Sequence, residues 1–224
     1  MGEHVTLTAS DGHQLDAYVA RPAAEPIAGL VVIQEAFGVT THIRSVTDGW
    51  ARDGFLAVAP ALFDRIERGV DLSSSPEDLQ KGIALARQGN PADGVKDVAA
   101  ALDYARRETG KKVGVIGYCY GGSMTWLVAA RLDPDAAVGY YGGYIAHFAA
   151  EKPKAPLMLH FGLLDTHIPK EDIDSKVAAP HPEVLIFWYD AGHAFNNDDR
   201  PSFNPAAAKL ARERSLDFLR QHLR

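Results

Sequence analysis

Cys119, Asp165 and His193 are of the residue types that together can make a nucleophile reactive. Cys119 is the only cysteine in the chain. It stands at the apex of Gly117-Tyr118-Cys119-Tyr120-Gly121-Gly122, between an apolar run and a second apolar stretch. A thiol becomes a strong nucleophile when a neighbouring imidazole takes its proton. The imidazole in turn needs a carboxylate to hold its tautomer and stabilise its charged form. The chemistry this predicts is attack on an acyl carbonyl, through an oxyanion and a covalent thioester. Backbone donors must meet the oxyanion. The N–H of Tyr120 is one, and the second is expected from Ala36 or Phe37. Each residue also has a plainer reading. Free cysteine is often a buried packing residue, and His193 is one of nine histidines. Asp190 competes with Asp165 but could cap a turn. Choosing Asp190 would also leave the loop at Asp165 without a role. His160 and His167 flank Asp165, but their spacing matches no zinc signature.

The elements around these residues explain why they should converge. Lys112–Ile116 reads as a short buried strand, and Ser123–Ala130 as a buried helix. The cysteine therefore occupies a strand–turn–helix bend, whose glycines allow close approach. Other buried strands are expected at Ala28–Ile33, Phe55–Ala59, Ala136–Tyr141, Pro156–Phe161 and Glu183–Tyr189. His4–Ser10 and Gln14–Val19 alternate apolar and polar residues around Asp11-Gly12, which reads as a hairpin. Helical spacing marks Thr41–Arg52, a short helix opening at Pro76, Asn90–Glu108, Pro169–Val177 and Pro205–Leu223. The alternation predicts an α/β class: a doubly wound, mostly parallel sheet with helices on both faces and an N-terminal antiparallel hairpin. Such sheets bind ligands beyond the carboxyl ends of their strands. Glu35, Cys119, Tyr141, Asp165 and His193 all follow strand ends. Cys119, Asp165 and His193 also keep the nucleophile–acid–base order of α/β-hydrolases. No repeat or linker interrupts residues 1–224, so one domain is expected.

Composition narrows the function. With 29 acidic against 23 basic residues, the net charge is −6, and 46% of residues are hydrophobic. Scattered basic residues give nucleic acid or an anionic membrane nothing to bind. A lone cysteine excludes an internal disulfide and suits a reducing compartment. The N-terminus lacks the pattern of a signal peptide, and no apolar run is long enough to span a bilayer. The expectation is a cytoplasmic enzyme without cofactor or metal, a monomer or weak dimer acting on a small-molecule ester or lactone.

Glu35 stands out, because a carboxylate in the oxyanion loop should oppose developing negative charge. It either pairs with a nearby base such as Arg65 or controls the thiol. Around it the chain resembles the dienelactone hydrolase family over nearly its whole length. The resemblance rests on Gln34-Glu35-Ala36-Phe37-Gly38, the bend at Cys119, Gly139-Tyr140-Tyr141-Gly142-Gly143, and His160-Phe161-Gly162 leading to Asp165 and Ile168-Pro169. It extends to Ala191-Gly192-His193-Ala194-Phe195 and Asn197-Asp198-Asp199-Arg200-Pro201. The resemblance implies a Cys119–His193–Asp165 triad and a Glu35 that engages the resting thiol and swings away on substrate binding. It implies an Arg65 that contacts Glu35 or a substrate carboxylate. Well-studied members that cleave dienelactone carry an arginine four residues after the histidine, where this chain has Asn197. Arg200 is a possible substitute. Pocket shape is expected to depend on the loops around Arg65, Tyr141 and Phe195. A general carboxylesterase or thioesterase, or a thiol-bearing binding protein, would fit the same residues.

Overall fold

The computed structural model describes residues 2–224. Its centre is an eight-stranded sheet in the order β1-β2-β4-β3-β5-β6-β7-β8. The strands are β1 (Glu3–Thr8), β2 (Gln14–Ala20), β3 (Ala28–Ile33), β4 (Phe55–Pro60), β5 (Val113–Tyr118), β6 (Ala136–Tyr140), β7 (Leu157–Gly162) and β8 (Leu185–Tyr189). β1 and β2 pair antiparallel, as the hairpin pattern predicts, and β2 also runs antiparallel to β4. From β4 through β3 to β8 every pairing is parallel. All residues of β3, β4, β5, β6 and β7 are buried. That follows from their continuous apolar runs, which can be sheltered only by helices on both faces.

The helices are α1 (Thr41–Arg52), α2 (Pro76–Gln88), α3 (Pro91–Thr109), α4 (Tyr120–Arg131), α5 (Ile145–Phe148), α6 (Lys170–Ile173) and α7 (Pro205–Leu223). Their ends follow local rules. Thr40, Ser75, Asn90 and Asn204 cap α1, α2, α3 and α7 by accepting first-turn N–H bonds. Gly110 ends α3 in a left-handed conformation at φ 62°. The two faces are visible along β5. A side chain at Gly114 would run into Leu223 and Leu219 of α7, and one at Gly117 into Gly121 and Thr125 of α4.

Three elements depart from the sequence pattern. α5 was not expected; Trp126 on α4 holds its end by donating from Nε1 to the carbonyls of Phe148 and Glu151. The helix expected over Pro169–Val177 is one α-helical turn followed by a π-helical turn at Asp174–Ala178. β8 is shorter than its apolar run and lies at the sheet edge, where Leu185 is 45% exposed.

Candidate active site

β5 delivers Cys119 at the start of α4 with φ 52° and ψ −108°, a conformation costly for any residue with a side chain. Its N–H donates to the Tyr140 carbonyl at 3.0 Å, and its carbonyl accepts from the Ser123 N–H at 3.1 Å. The glycines make the bend possible. A Cβ on Gly117 would lie 2.1 Å from the Gly121 oxygen, and one on Gly121 would lie 2.4 Å from that of Ile33. Gly121 N–H donates to the Gln34 carbonyl at 3.0 Å, so the nucleophile turn and the loop after β3 are fastened backbone to backbone.

His193 lies 3.3 Å from the Cys119 sulfur through Nε2, and its Nδ1–H donates to Asp165 Oδ2 at 2.6 Å. Asp165 follows β7, and its other oxygen accepts the His167 N–H at 2.9 Å. Asp190 contributes only its backbone, accepting from the Asn204 side chain. Burial disfavours a charged His193, but hydrogen bonds to Asp165 and Cys119 outweigh it and raise its pKa to about 10. Asp165 also meets a burial penalty, and the His193 hydrogen bond overrides it to hold the carboxyl below its ordinary value. Among the described residues, three non-glycine residues have positive φ: Cys119, Tyr141 and Ala194. All three sit at or beside this cluster.

The N–H groups of Tyr120, Ala36 and Phe37 donate to no protein group among the described residues, which leaves them free for an oxyanion. Gln34, which the motif reading left without a role, organises the loop they share. It is fully buried, its Oε1 accepts the Leu62 N–H at 3.0 Å, and its carbonyl holds Gly121. A buried amide beside Glu35 is the only signal that could have marked it.

The modulating residues fall elsewhere than the sequence implies. Arg65 does not meet Glu35. Its Nε and Nη2 bind Asp97 in a bidentate pair at 2.8 and 2.7 Å, and its Nη1 lies 3.0 Å from Asp11. Asp97 is fully buried, so Arg65 is consumed by compensating that charge. Glu35 is buried rather than a surface acid, and its Oε2 accepts from Asn197 Nδ2 at 2.6 Å. Asn197 Oδ1 accepts the Asp199 N–H at 2.9 Å, which orients the amide so that nitrogen faces Glu35. In this arrangement the sulfur's partner is His193 and the carboxylate's partner is Asn197. Tyr141 and Phe195 are both completely buried and offer a ligand no surface. Their rings pack edge-on at 5.4 Å, and Tyr141 supports the His193 ring at 5.2 Å. Among the described residues the Tyr141 hydroxyl has no partner, and burial, then the Glu35 charge, keep it protonated. His160 lies within β7, and its two ring nitrogens are engaged by Tyr189 and Ser215. Burial drives its pKa down to about 3, so it stays neutral.

A cavity of about 360 Å³ has walls that include Glu35, Phe37, His42, Asn197 and Arg200; Cys119 and His193 do not line it. It thus lies between the loop after β3 and the segment following His193.

The chain is similar to known proteins over nearly its whole length. The model of the dienelactone hydrolase family matches residues 15–223. The carboxymethylenebutenolidase of Pseudomonas putida is 34% identical over 97% of this chain and 95% of its own length. Carboxymethylenebutenolidase 1 of Cupriavidus pinatubonensis is 30% identical over 98% and 97%. A Klebsiella pneumoniae crystal structure described as a candidate dienelactone hydrolase superposes with a TM-score of 0.84 at 28% identity, covering 99% of each chain. The Pyrococcus furiosus esterase, at 14% identity and a TM-score of 0.75, shares the α/β-hydrolase fold. A family match running from β2 to the end of α7, carried by relatives of equal length, makes this chain a hydrolase that belongs to the dienelactone hydrolase family.

Proposed function

We propose that the protein hydrolyses lactones or small esters with Cys119 as nucleophile, His193 as general base and then acid, and Asp165 as the carboxylate that orients it. The observation that carries this reading is the continuous contact from the Cys119 sulfur through His193 to Asp165, at 3.3 and 2.6 Å. The Cys119 sulfur attacks the substrate carbonyl while His193 Nε2 holds the proton. The carbonyl oxygen becomes an oxyanion facing the free N–H groups of Tyr120 and Ala36, with Phe37 as an alternative donor. Collapse breaks the ester C–O bond, and His193 returns the proton to the departing oxygen. A water, deprotonated by His193, then attacks the thioester, releasing the acid and restoring the Cys119–His193 pair with the proton on the imidazole. The start of α4 adds a partial positive charge at the sulfur. The raised pKa of His193 favours its holding the proton between these steps.

The relatives' shared name describes cleavage of a carboxymethylene-bearing lactone, and the same bond class is the natural starting substrate here. Cys119→Ala should lower kcat on 4-nitrophenyl acetate and on an enol-lactone at least about 10³-fold. Wild-type protein should lose activity in step with alkylation of one thiol. Full activity in the alanine variant would refute the assignment.

A further inference from the structure

We propose that His160 is a positioning residue for hydrolysis, a neutral hub that fixes the strand ends from which the Cys119 turn and the loops of Asp165 and His193 depart. This rests on the hydrolytic reading above and adds a residue to it. The mechanism leaves His160 unused, although it is fully buried inside β7. Its polar contacts can be assigned a direction. Ser215 Oγ donates its single hydrogen to the Ala211 carbonyl at 2.8 Å, so it can only accept from its other neighbours. Those are the Tyr140 hydroxyl at 2.7 Å and His160 Nε2 at 3.0 Å, which therefore both donate. With its hydrogen on Nε2, His160 accepts at Nδ1 from the Tyr189 hydroxyl at 2.8 Å, and Tyr189 accepts in turn from Arg214 Nη1 at 3.2 Å. The network is complete only while the imidazole is neutral, since a second ring hydrogen would leave the Tyr189 O–H without its acceptor. The same residues carry the site on their backbone. The Tyr140 carbonyl accepts the Cys119 N–H at 3.0 Å, and the His160 carbonyl accepts the N–H of Tyr141, whose ring supports His193. The Tyr189 carbonyl accepts from Leu163 at 2.7 Å, in the loop leading to Asp165, and from Ala191 at 2.8 Å, in the loop leading to His193. Tyr140 also stands opposite His160 in the β6–β7 register. The imidazole thus couples β6, β7, β8 and α7 at the level where the three working loops leave the sheet. The triad contacts of 3.3 and 2.6 Å depend on that alignment.

His160→Phe keeps an aromatic ring in the sheet but offers Tyr189 no acceptor and Ser215 no donor. On 4-nitrophenyl acetate it should lower kcat about 10- to 100-fold with KM within about twofold, the effect of moving reacting groups by about 1 Å. His160→Gln can present an amide N–H to Ser215 and should recover part of the loss. A second readout is alkylation of Cys119 by iodoacetamide against pH, on folded protein well below its Tm. It reports how His193 and the thiol share a proton, and its midpoint should move to higher pH in the phenylalanine variant. Should that variant fold poorly, Ser215→Ala removes one hydroxyl from α7 and should show both changes at smaller size, about three- to tenfold in kcat. Wild-type kcat in either folded variant overturns the proposal. So does a loss of activity with the alkylation profile unmoved, which would reduce His160 to a stabilising group, and so does a rise in KM at unchanged kcat. Full hydrolysis by Cys119→Ala would instead strike the hydrolytic reading, whereas the alkylation profile tests the role of His160 without any turnover.

Discussion

At the residue scale, the proton on His193 depends on two neighbours of different kinds. Asp165 supplies a buried carboxylate, and Cys119 supplies a sulfur at hydrogen-bond distance; together they lift the imidazole from its ordinary 6.5 to about 10. Because the folded state holds the proton more tightly, this contribution to stability is fully present below about pH 6.5. It is lost as pH rises through about 10. The difference in Tm between wild type and His193→Gln should therefore shrink between pH 7 and 10.5 in thermal scans. Most other titrating groups are common to both proteins and cancel. A difference that stays flat across that range would mean the imidazole is not held as the charged form. The contrast with His160 shows that environment, not residue type, sets these roles. That histidine is hydrogen-bonded only to neutral hydroxyls inside the sheet and is pushed the opposite way.

Elements meet at the site through backbone contacts that allow little tolerance. α4 starts against the loop after β3 with no side chain between them, since Gly121 approaches the carbonyls of both Ile33 and Gln34. Gly121→Ala would place a Cβ 2.4 Å from the Ile33 oxygen, so the start of α4 must move off that loop. The Tyr120 and Ala36 N–H groups would then separate. Losing one donor of an oxyanion hole costs about 10²–10³-fold in rate. Steady-state assays should show kcat falling by that order while circular dichroism still reports an ordered α/β chain. Wild-type kcat in this variant would remove the assignment of the two donors. The same packing explains elements that local pattern could not predict. α5 exists because Trp126 supplies a donor to its end, and the π-helical turn after α6 forms in a segment whose spacing alone suggested an ordinary helix.

Across the whole molecule, the N-terminal hairpin is tied to the sheet partly by charge. Arg65 after β4 reaches Asp11 in the hairpin turn and Asp97 in α3. Removing one partner of a buried pair leaves an uncompensated charge, at a cost of about 3–5 kcal/mol. Arg65→Ala should destabilise the protein by that amount in urea titrations and leave KM for esters essentially unchanged. A rise in KM at unaltered stability would return Arg65 to the substrate. No described helix is long and apolar enough to cross a membrane. Much of this architecture could be read directly from the chain. Apolar runs of five or six residues bounded by turn signals read as strands covered on both faces, and Asp11-Gly12 between alternating runs reads as a hairpin turn. Strand-end positions in the order cysteine, aspartate, histidine brought Cys119, Asp165 and His193 into one expected cluster, because parallel strands all end on the same side of the sheet. Partner choice among charges was not legible. Arg65 near Glu35 in an imagined loop and Arg65 against Asp97 on α3 have the same local sequence. Distance across the folded chain selects between them, and desolvation of Asp97 makes the choice decisive. Likewise, that Asn197 holds Glu35 depends on how two loops 162 residues apart in the chain come to face each other. Local pattern specifies which strand and helix each side chain rides on; only packing specifies what it touches.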